Sequence, residues 1–476
     1  MNDLLYGSNW KIFLRWKSFF LLATVLASSC ATSAENRIDD VEPDLILPLG
    51  WHNQIEEGTE ITQSWCHHYN DPVLAALIEE VLDRNLDLRI AEERLRGARA
   101  VLTQQRSARL PRLTLGADAE WERGPQGWEP DFEVEAPLMS YEVDLWGRIR
   151  DQVQAAKIEL EAAQKELSGL RITISATTAE LYFELARVRS QVRLLEEQTE
   201  IAKTFLELTH VRHRQGMANA IDVVQQRQQI EALGESLLRA RLAETNLLHS
   251  IGRLLGEPPG TVEIASAQRL PDSLPGVSSQ MPADLLERRP DVIAARMRVA
   301  AADYRVDAAL KERLPRLNLS VSLFLEAASL PGLVEFLFVN VAGGLGQSLF
   351  EGGRLVARHE LELSNRERLL LDFSAVLLDA IIEVEEALVL GATLVDIQRT
   401  QRLQLENAWE ALDLAREQYR AGILDYLRVL TALQSVQRLE LAVLNTRRDL
   451  LSQRIQLCRA MGGGWPNSGE DEENDG

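Results

Sequence analysis

Residues 148–214 read RIRDQVQAAKIELEAAQKELSGLRITISATTAELYFELARVRSQVRLLEEQTEIAKTFLELTHVRHR. These 67 residues hold no proline and a single glycine, Gly169. Leu167, Leu170 and Ile174, then Leu181, Leu185, Val188, Val192 and Leu195, recur in alternating steps of three and four. A period of 3.5 marks a helix whose apolar seam faces partner helices. At 1.5 Å per residue that helix is roughly 100 Å long, more than one globular core covers. Residues 354–420 form a second stretch of the same length, again with one glycine, Gly391, and a seam of Leu370, Phe373, Leu377, Ile381, Val384 and Leu388. Two equal rods in one chain predict a duplicated, elongated molecule.

The 476-residue chain is 46% hydrophobic with clean apolar periods, which speaks against disorder. Its formal net charge of −21 argues against nucleic-acid binding, which needs a basic face to neutralise phosphates. A solvated coiled-coil surface and an acidic water-filled duct would both give that charge. Three cysteines, Cys30, Cys66 and Cys458, make no disulfide framework. Cys66 and Cys458 either pair in an oxidising compartment or stay as buried thiols.

Lys11, Arg15 and Lys17, followed by the apolar run Phe19–Ala27, form a secretory signal over residues 1–29. The run is too short for a permanent membrane span. In Leu26-Ala27-Ser28-Ser29-Cys30 small residues precede a cysteine, the lipoprotein pattern in which Cys30 is acylated and becomes the mature N-terminus. The leucine stands one place further out than that pattern has it, and ordinary cleavage near Ala31 or Ala34 is the alternative. Both routes take the chain out of the cytoplasm. Ala31–Ser64 is rich in Asp, Glu, Pro and Gly without a sustained period, so residues 30–71 read as an extended wrapping segment.

Helical pattern starts behind Asp71, a candidate N-cap, with Pro72 at the first helical position, and runs to about Ala108. Leu113, Leu115, Ala117, Ala119 and Trp121 then alternate with Thr114, Gly116, Asp118, Glu120 and Glu122, the two-residue period of a strand. After a polar turn at 123–130 a second strand runs from Phe132 to about Trp146, and a parity flip after Pro137 predicts a bulge. The first rod follows. Gly216 provides for a tight reversal, and a helix from Asn219 to about Leu255 returns to Gly256-Glu257-Pro258-Pro259-Gly260.

Ala108-Arg109-Leu110-Pro111-Arg112-Leu113-Thr114-Leu115 reappears 204 residues on as Glu312-Arg313-Leu314-Pro315-Arg316-Leu317-Asn318-Leu319. Leu145-Trp146 returns as Leu349-Phe350 at the same distance, and Gly216 returns as Gly422 after 206. The chain therefore reads as two structural repeats. The first is 72–260, with strands about 112–146 and long helices about 148–255. The second is 282–464, with strands about 316–350 and long helices about 354–460. A linker, 261–281, joins them, and an acidic, disordered tail, 465–476, follows.

Each repeat is helix, strand, strand, long helix, helix. Stacked end to end, the two shorter helices could lie along the rod, so the fold class is mainly α with a small membrane β part. Four strands from one chain cannot close a barrel, whereas three chains supply twelve and leave room for a passage. Apolar faces alternating with Asp, Glu, Ser and Thr suit lipid outside and water inside, and the strand lengths match an outer-membrane strand. Trp121, Trp128, Tyr141, Trp146 and Phe350 stand near strand ends, where interface aromatics belong. The edge of a soluble sandwich is the alternative.

Five motifs occur in order over nearly the whole chain. They are Trp65 with Asn70-Asp71-Pro72-Val73-Leu74, Ser140-Tyr141-Glu142-Val143-Asp144-Leu145-Trp146-Gly147-Arg148, Pro282-Ala283-Asp284-Leu285-Leu286-Glu287-Arg288-Arg289-Pro290-Asp291, Gln418-Tyr419-Arg420-Ala421-Gly422 and Gly462-Gly463-Gly464-Trp465. On this duplicated frame the chain resembles the outer-membrane factors of tripartite efflux pumps, the TolC-like proteins, and especially their lipoprotein branch. The resemblance implies a homotrimer in outer-membrane lipid, with a trimeric 12-stranded outer-membrane β-barrel continued by a long periplasmic α-helical barrel. It places the chain, lipid-anchored, in the outer membrane of a Gram-negative bacterium. It also implies two protein partners, a periplasmic adaptor (membrane fusion) protein and an inner-membrane transporter. By position, the adaptor-docking tips fall at Gln215, Gly216, Met217, Ala218 and Asn219 and at Ala421, Gly422, Ile423, Leu424 and Asp425. The periplasmic gate falls at Asp222, Tyr419, Asp425, Leu427, Thr431 and Gln434. The family pattern often has Asp and Arg where this chain has Thr431 and Gln434. A charged latch is thereby weakened, and closure rests more on hydrogen bonds and packing.

Other chemistry finds little support. Glu207-x-x-His210, with His213 a turn further, lacks the second such motif that a di-metal carboxylate site needs. His67-His68 beside Cys66 lacks zinc spacing. There is no Gly-rich phosphate loop, no Gly-x-Ser-x-Gly elbow and no Cys–His nucleophile arrangement. The expectation is no enzyme, no cofactor and no metal site, but a passive duct for small molecules (drugs, toxic compounds or metal ions) driven by a partner pump. A type I-like protein secretion duct and a non-conducting, envelope-spanning coiled-coil tether are the alternatives.

Overall fold

The structure, a computed structural model, describes residues 71–115, 118–124, 127–264, 270–271, 285–327 and 337–463, with scattered positions between 38 and 52. The chain divides between Glu42 and Pro43, and the unit from Pro43 carries all the described helices and strands. Its first half contains α1 (Pro72–Arg84), α2 (Leu86–Ser107), β1 (Arg112–Thr114), β2 (Asp118–Gly124), β3 (Gly127–Val143), α3 (Arg148–Arg214) and α4 (Ala220–Leu255). The second half contains α5 (Leu285–Arg288), α6 (Pro290–Lys311), β4 (Arg316–Ala327), β5 (Leu337–Gly346), α7 (Arg354–Arg420) and α8 (Tyr426–Ala460).

Both rods are continuous helices of 67 residues. Asp144 starts α3: its carboxylate accepts from the Ile149 and Arg150 amides at 3.0 and 2.7 Å, one way of satisfying the orphan donors of a helix start. Rod α3 packs against α1, α2, α4, α6 and α8. Its expected seam is buried at Ile174, Leu185, Val188 and Leu195, but so are Ala179, Tyr182, Phe183 and Ala186. Five neighbours cover more than one side of the rod, so its apolar pattern is wider than a single seam. Buried Ala294, Ala300, Ala301, Ala302, Ala308 and Ala309 keep α6 slim enough to lie closely along it.

The helix expected over 72–108 is broken at Asn85. There ψ is 130°, and the side-chain oxygen caps α2 by accepting from the Asp87 and Leu88 amides at 2.9 and 3.1 Å. Asn85 Nδ2 donates to the Leu254 carbonyl at 2.9 Å, fixing the end of α4 against the α1–α2 junction. Arg289 does the same in the second half, donating from Nη1 to the Ala460 carbonyl at 2.9 Å at the start of α6. Arg289 stands 204 residues after Asn85, and Ala460 stands 206 after Leu254, the offsets of the sequence repeat. Gly256 and Gly462 turn away behind these two helix ends with φ of +71° and +73°. In each half, two shorter helices thus meet end to end beside a rod.

The sheet order is β1-β3-β4-β5, with β2 also on β3. The expected first strand is split into β1 and β2, both antiparallel to β3. The expected bulge is present as a register shift between Ala136 and Met139. Cross-strand register puts Leu113, Met139, Val321 and Val341 in one row, and Val143, Leu317 and Leu345 in another. Ser140, Ser320 and Ala342, and Glu142, Asn318 and Gly344, make the rows between. Since successive rows face opposite ways, one side of this sheet end is apolar and the other is polar or small.

Candidate functional site

At the end of α3 the last turn closes with two bonds, Gly216 N–H to the His213 carbonyl at 3.0 Å and Met217 N–H to the Arg212 carbonyl at 2.9 Å. At the end of α7, Gly422 N–H donates to Tyr419 and Ile423 N–H to Gln418, at 3.0 and 2.9 Å. These are paired Schellman closures, with φ of +74° at Gly216 and +77° at Gly422. The following helices are capped by carboxylates. Asp222 accepts from the Asn219 amide at 3.0 Å, and Asp425 from the Arg428 amide at 3.1 Å. His213 Nδ1 lies 2.9 Å from the Ala218 carbonyl and braces the first turn further. Each turn holds an apolar side chain outward: Met217 is 56% exposed and Ile423 73%.

The two tips are tied to each other. The Arg212 guanidinium lies 4.2 Å from the centre of the Tyr419 ring and donates from Nη1 to the Tyr419 carbonyl at 3.0 Å. Tyr419 meets Tyr426 edge to face at 6.1 Å, within a core that includes Leu412, Val429 and Leu433. The Tyr426 hydroxyl donates to Gln226 Oε1, and Gln226 Nε2 donates to the Ala202 carbonyl at 2.7 Å. One turn further along, Gln434 Nε2 donates to Gln229 Oε1 at 2.8 Å and Gln229 Nε2 to Gln437 Oε1 at 3.2 Å. Helices α4 and α8, one from each repeat, are therefore joined through uncharged side chains. Burial raises both phenols above their ordinary value; Asp222 adds to this at both, while Arg212 opposes it at Tyr419.

Of the expected gate residues, Asp222 and Asp425 are engaged as caps, and Tyr419 is 3% exposed, inside the protomer's own core. Leu427, Thr431 and Gln434 lie exposed on one face of α8 at steps of four and three. Thr431 Oγ1 donates to the Leu427 carbonyl of its own helix at 2.8 Å. Sequence reasoning missed Arg212, Gln226, Gln229, Tyr426 and Gln437. The available signal was Gln226 and Gln229 at buried positions beside Val223 and Leu233, where a polar residue fixes register. Cys30, Cys66 and the His67-His68 pair lie outside the described residues. Cys458 is a buried thiol, pushed up to about 12 by burial.

The family described as outer membrane efflux protein matches residues 77–257 and again 281–463, once for each repeat. The chain belongs to that family. It is 29% identical over 460 residues to the pyoverdine export outer membrane protein OpmQ of Pseudomonas aeruginosa, covering 93% of this chain and 96% of that one. It is 28% identical to the toluene efflux pump outer membrane protein TtgF of Pseudomonas putida, again over 93% and 96%. Among solved structures, the outer-membrane channel OprN superposes with a TM-score of 0.82 at 26% identity, covering 89% of this chain and 99% of that one. VceC of Vibrio cholerae superposes with a TM-score of 0.79, also at 26% identity, over 86% and 100%. This efflux protein is a duct of the outer membrane with a long helical periplasmic part, serving a tripartite pump. Among the described residues no helix is long and apolar enough to cross a membrane; a sheet of the kind built by β1–β5 crosses one as a closed barrel.

Proposed function

We propose that three copies of this efflux protein close a twelve-stranded barrel over a helical tunnel whose two turns receive a periplasmic adaptor, itself joined to an inner-membrane transporter. The observation that carries the reading is the pair of braced turns at 215–219 and 421–425, each presenting one exposed apolar side chain at the same end of its rod. Glycine at the bend brings the backbone close to a partner helix, and Met217 and Ile423 offer it apolar contact. Among the described strands the sheet ends at β1 and β2 on one side and at β5 on the other, which favours closure by further copies. Along α7 an exposed stripe of Leu371, Leu378, Ile382 and Val389, at steps of seven, four and seven, favours a neighbouring helix. In this reading Leu427, Thr431 and Gln434 line the pinched end, Cys30 carries the lipid, and the chain performs no catalysis. The cargo is a small molecule.

Met217→Asp together with Ile423→Asp tests the docking. The variant keeps the trimer on native gels, because both positions are exposed, and loses efflux of a reporter dye from cells. Undiminished efflux would reject the turns as the docking site.

A further inference from the structure

Beside the tips lies a notch of about 240 Å³ between α3 and α7. That is below the roughly 300–1,000 Å³ of small-molecule sites, but room for about eight waters, the bulk of a side chain or two. Phe205, Leu208 and Tyr419 give it apolar walls, Thr204 stands on its rim, and Arg416 and Arg420 border it one helical turn apart. The Arg416 guanidinium lies over the Phe205 ring, 5.2 Å from its centre. Its Nε is buried without a hydrogen-bond partner, and among the described residues its only ion-pair contact is the exposed Asp413 at 3.5 Å. Arg420 is exposed and has no ion pair among the described residues. The surroundings do not repel an anion. Residues 207–227 and 413–428 carry six arginines against five carboxylates, in a chain whose net charge is −21.

We propose that this notch receives an apolar side chain and, within one turn of it, a carboxylate, both from the hairpin of the adaptor protein. The apolar group fills the space between Phe205, Leu208 and Tyr419, and the carboxylate pairs with the guanidinium groups of Arg416 and the exposed Arg420. The proposal rests on adaptor docking at the turns and adds to it the charge that the adaptor must carry.

The test places the photo-crosslinker p-benzoylphenylalanine at Thr204, on the rim of the notch, and separately at Met217 on the turn, in the full chain in its own envelope. The captured peptides are sequenced by mass spectrometry. Both positions should capture one protein, and Thr204 should capture it at an aliphatic residue with Asp or Glu within one turn. Arg416→Gln with Arg420→Gln should cut the Thr204 capture severalfold and leave the Met217 capture unchanged, while Arg416→Lys with Arg420→Lys retains the Thr204 capture. Capture at Met217 with none at Thr204, or capture at Thr204 indifferent to both arginines, overturns the notch and leaves docking standing. Capture of a second copy of this chain at Thr204 makes the groove a subunit contact and overturns the notch as well. Capture at neither position removes the docking reading and the notch with it.

Discussion

Arg289 holds three groups at once. Its guanidinium meets Asp291 twice, at 3.1 and 2.8 Å, Glu383 at 2.8 Å and the Ala460 carbonyl at 2.9 Å. Burial works to raise the Asp291 and Glu383 carboxyls, but the bonds and charge of Arg289, joined at Glu383 by Arg459, outweigh it and hold both below the usual carboxylate range. Carboxyls depressed by folding stabilise above their unfolded pKa, near 4, and that contribution is lost as pH falls through the folded values. Arg289→Ala should therefore lower stability at neutral pH by about 2–4 kcal/mol, below the range for fully buried pairs because Asp291 is half-exposed. Its melting temperature should also fall less steeply than that of wild type in acid, as circular dichroism between pH 3 and 6 would measure. Equal acid slopes would show that Arg289 does not hold these carboxyls. The sequence placed Arg289 inside a motif without a role, because its partners Glu383 and Ala460 lie 94 and 171 residues away.

Helix ends divide into those legible in the sequence and those that are not. Gly216 and Gly422 stop their rods with φ above +70°, and a glycine between two strong helical patterns announces that stop. The break at Asn85 carries no such mark. Helical pattern continues through it, and the bond that makes the joint goes to Leu254, 169 residues on. The apolar rows of the sheet were readable from period two, whereas the division of β1 from β2 was not. At both turn glycines an added Cβ would meet nothing within 4 Å. Gly216→Ala or Gly422→Ala should thus cost only the left-handed backbone penalty, about 1–2 kcal/mol, as thermal unfolding would measure. A much larger loss would mean that the turns are packed against something and not open to a partner.

In the whole molecule, α3 ties the two repeats together by packing on α4 from its own half and on α6 and α8 from the other. At the tip end the repeats are also joined from α4 to α8 through amides and phenols, with Gln229 buried and Gln434 at the exposed edge. The sequence raised the idea of a closure without charges from Thr431 and Gln434 alone. The structure adds Gln226, Gln229, Tyr426 and Gln437, which were illegible because their bonds cross between helices 200 to 208 residues apart. Such a link carries no charge at neutral pH, since amides do not titrate and burial raises both phenols further above their ordinary value. Converting it to like charges should force it apart. The deciding measurement is planar-bilayer conductance of the purified trimer, as wild type and as Gln229→Glu with Gln434→Glu. Wild type should conduct weakly at pH 7.5; the variant should conduct severalfold more there and fall back at about pH 4, where the new carboxyls take up protons. A folded trimer that passes no current in either form at either pH would contradict the duct.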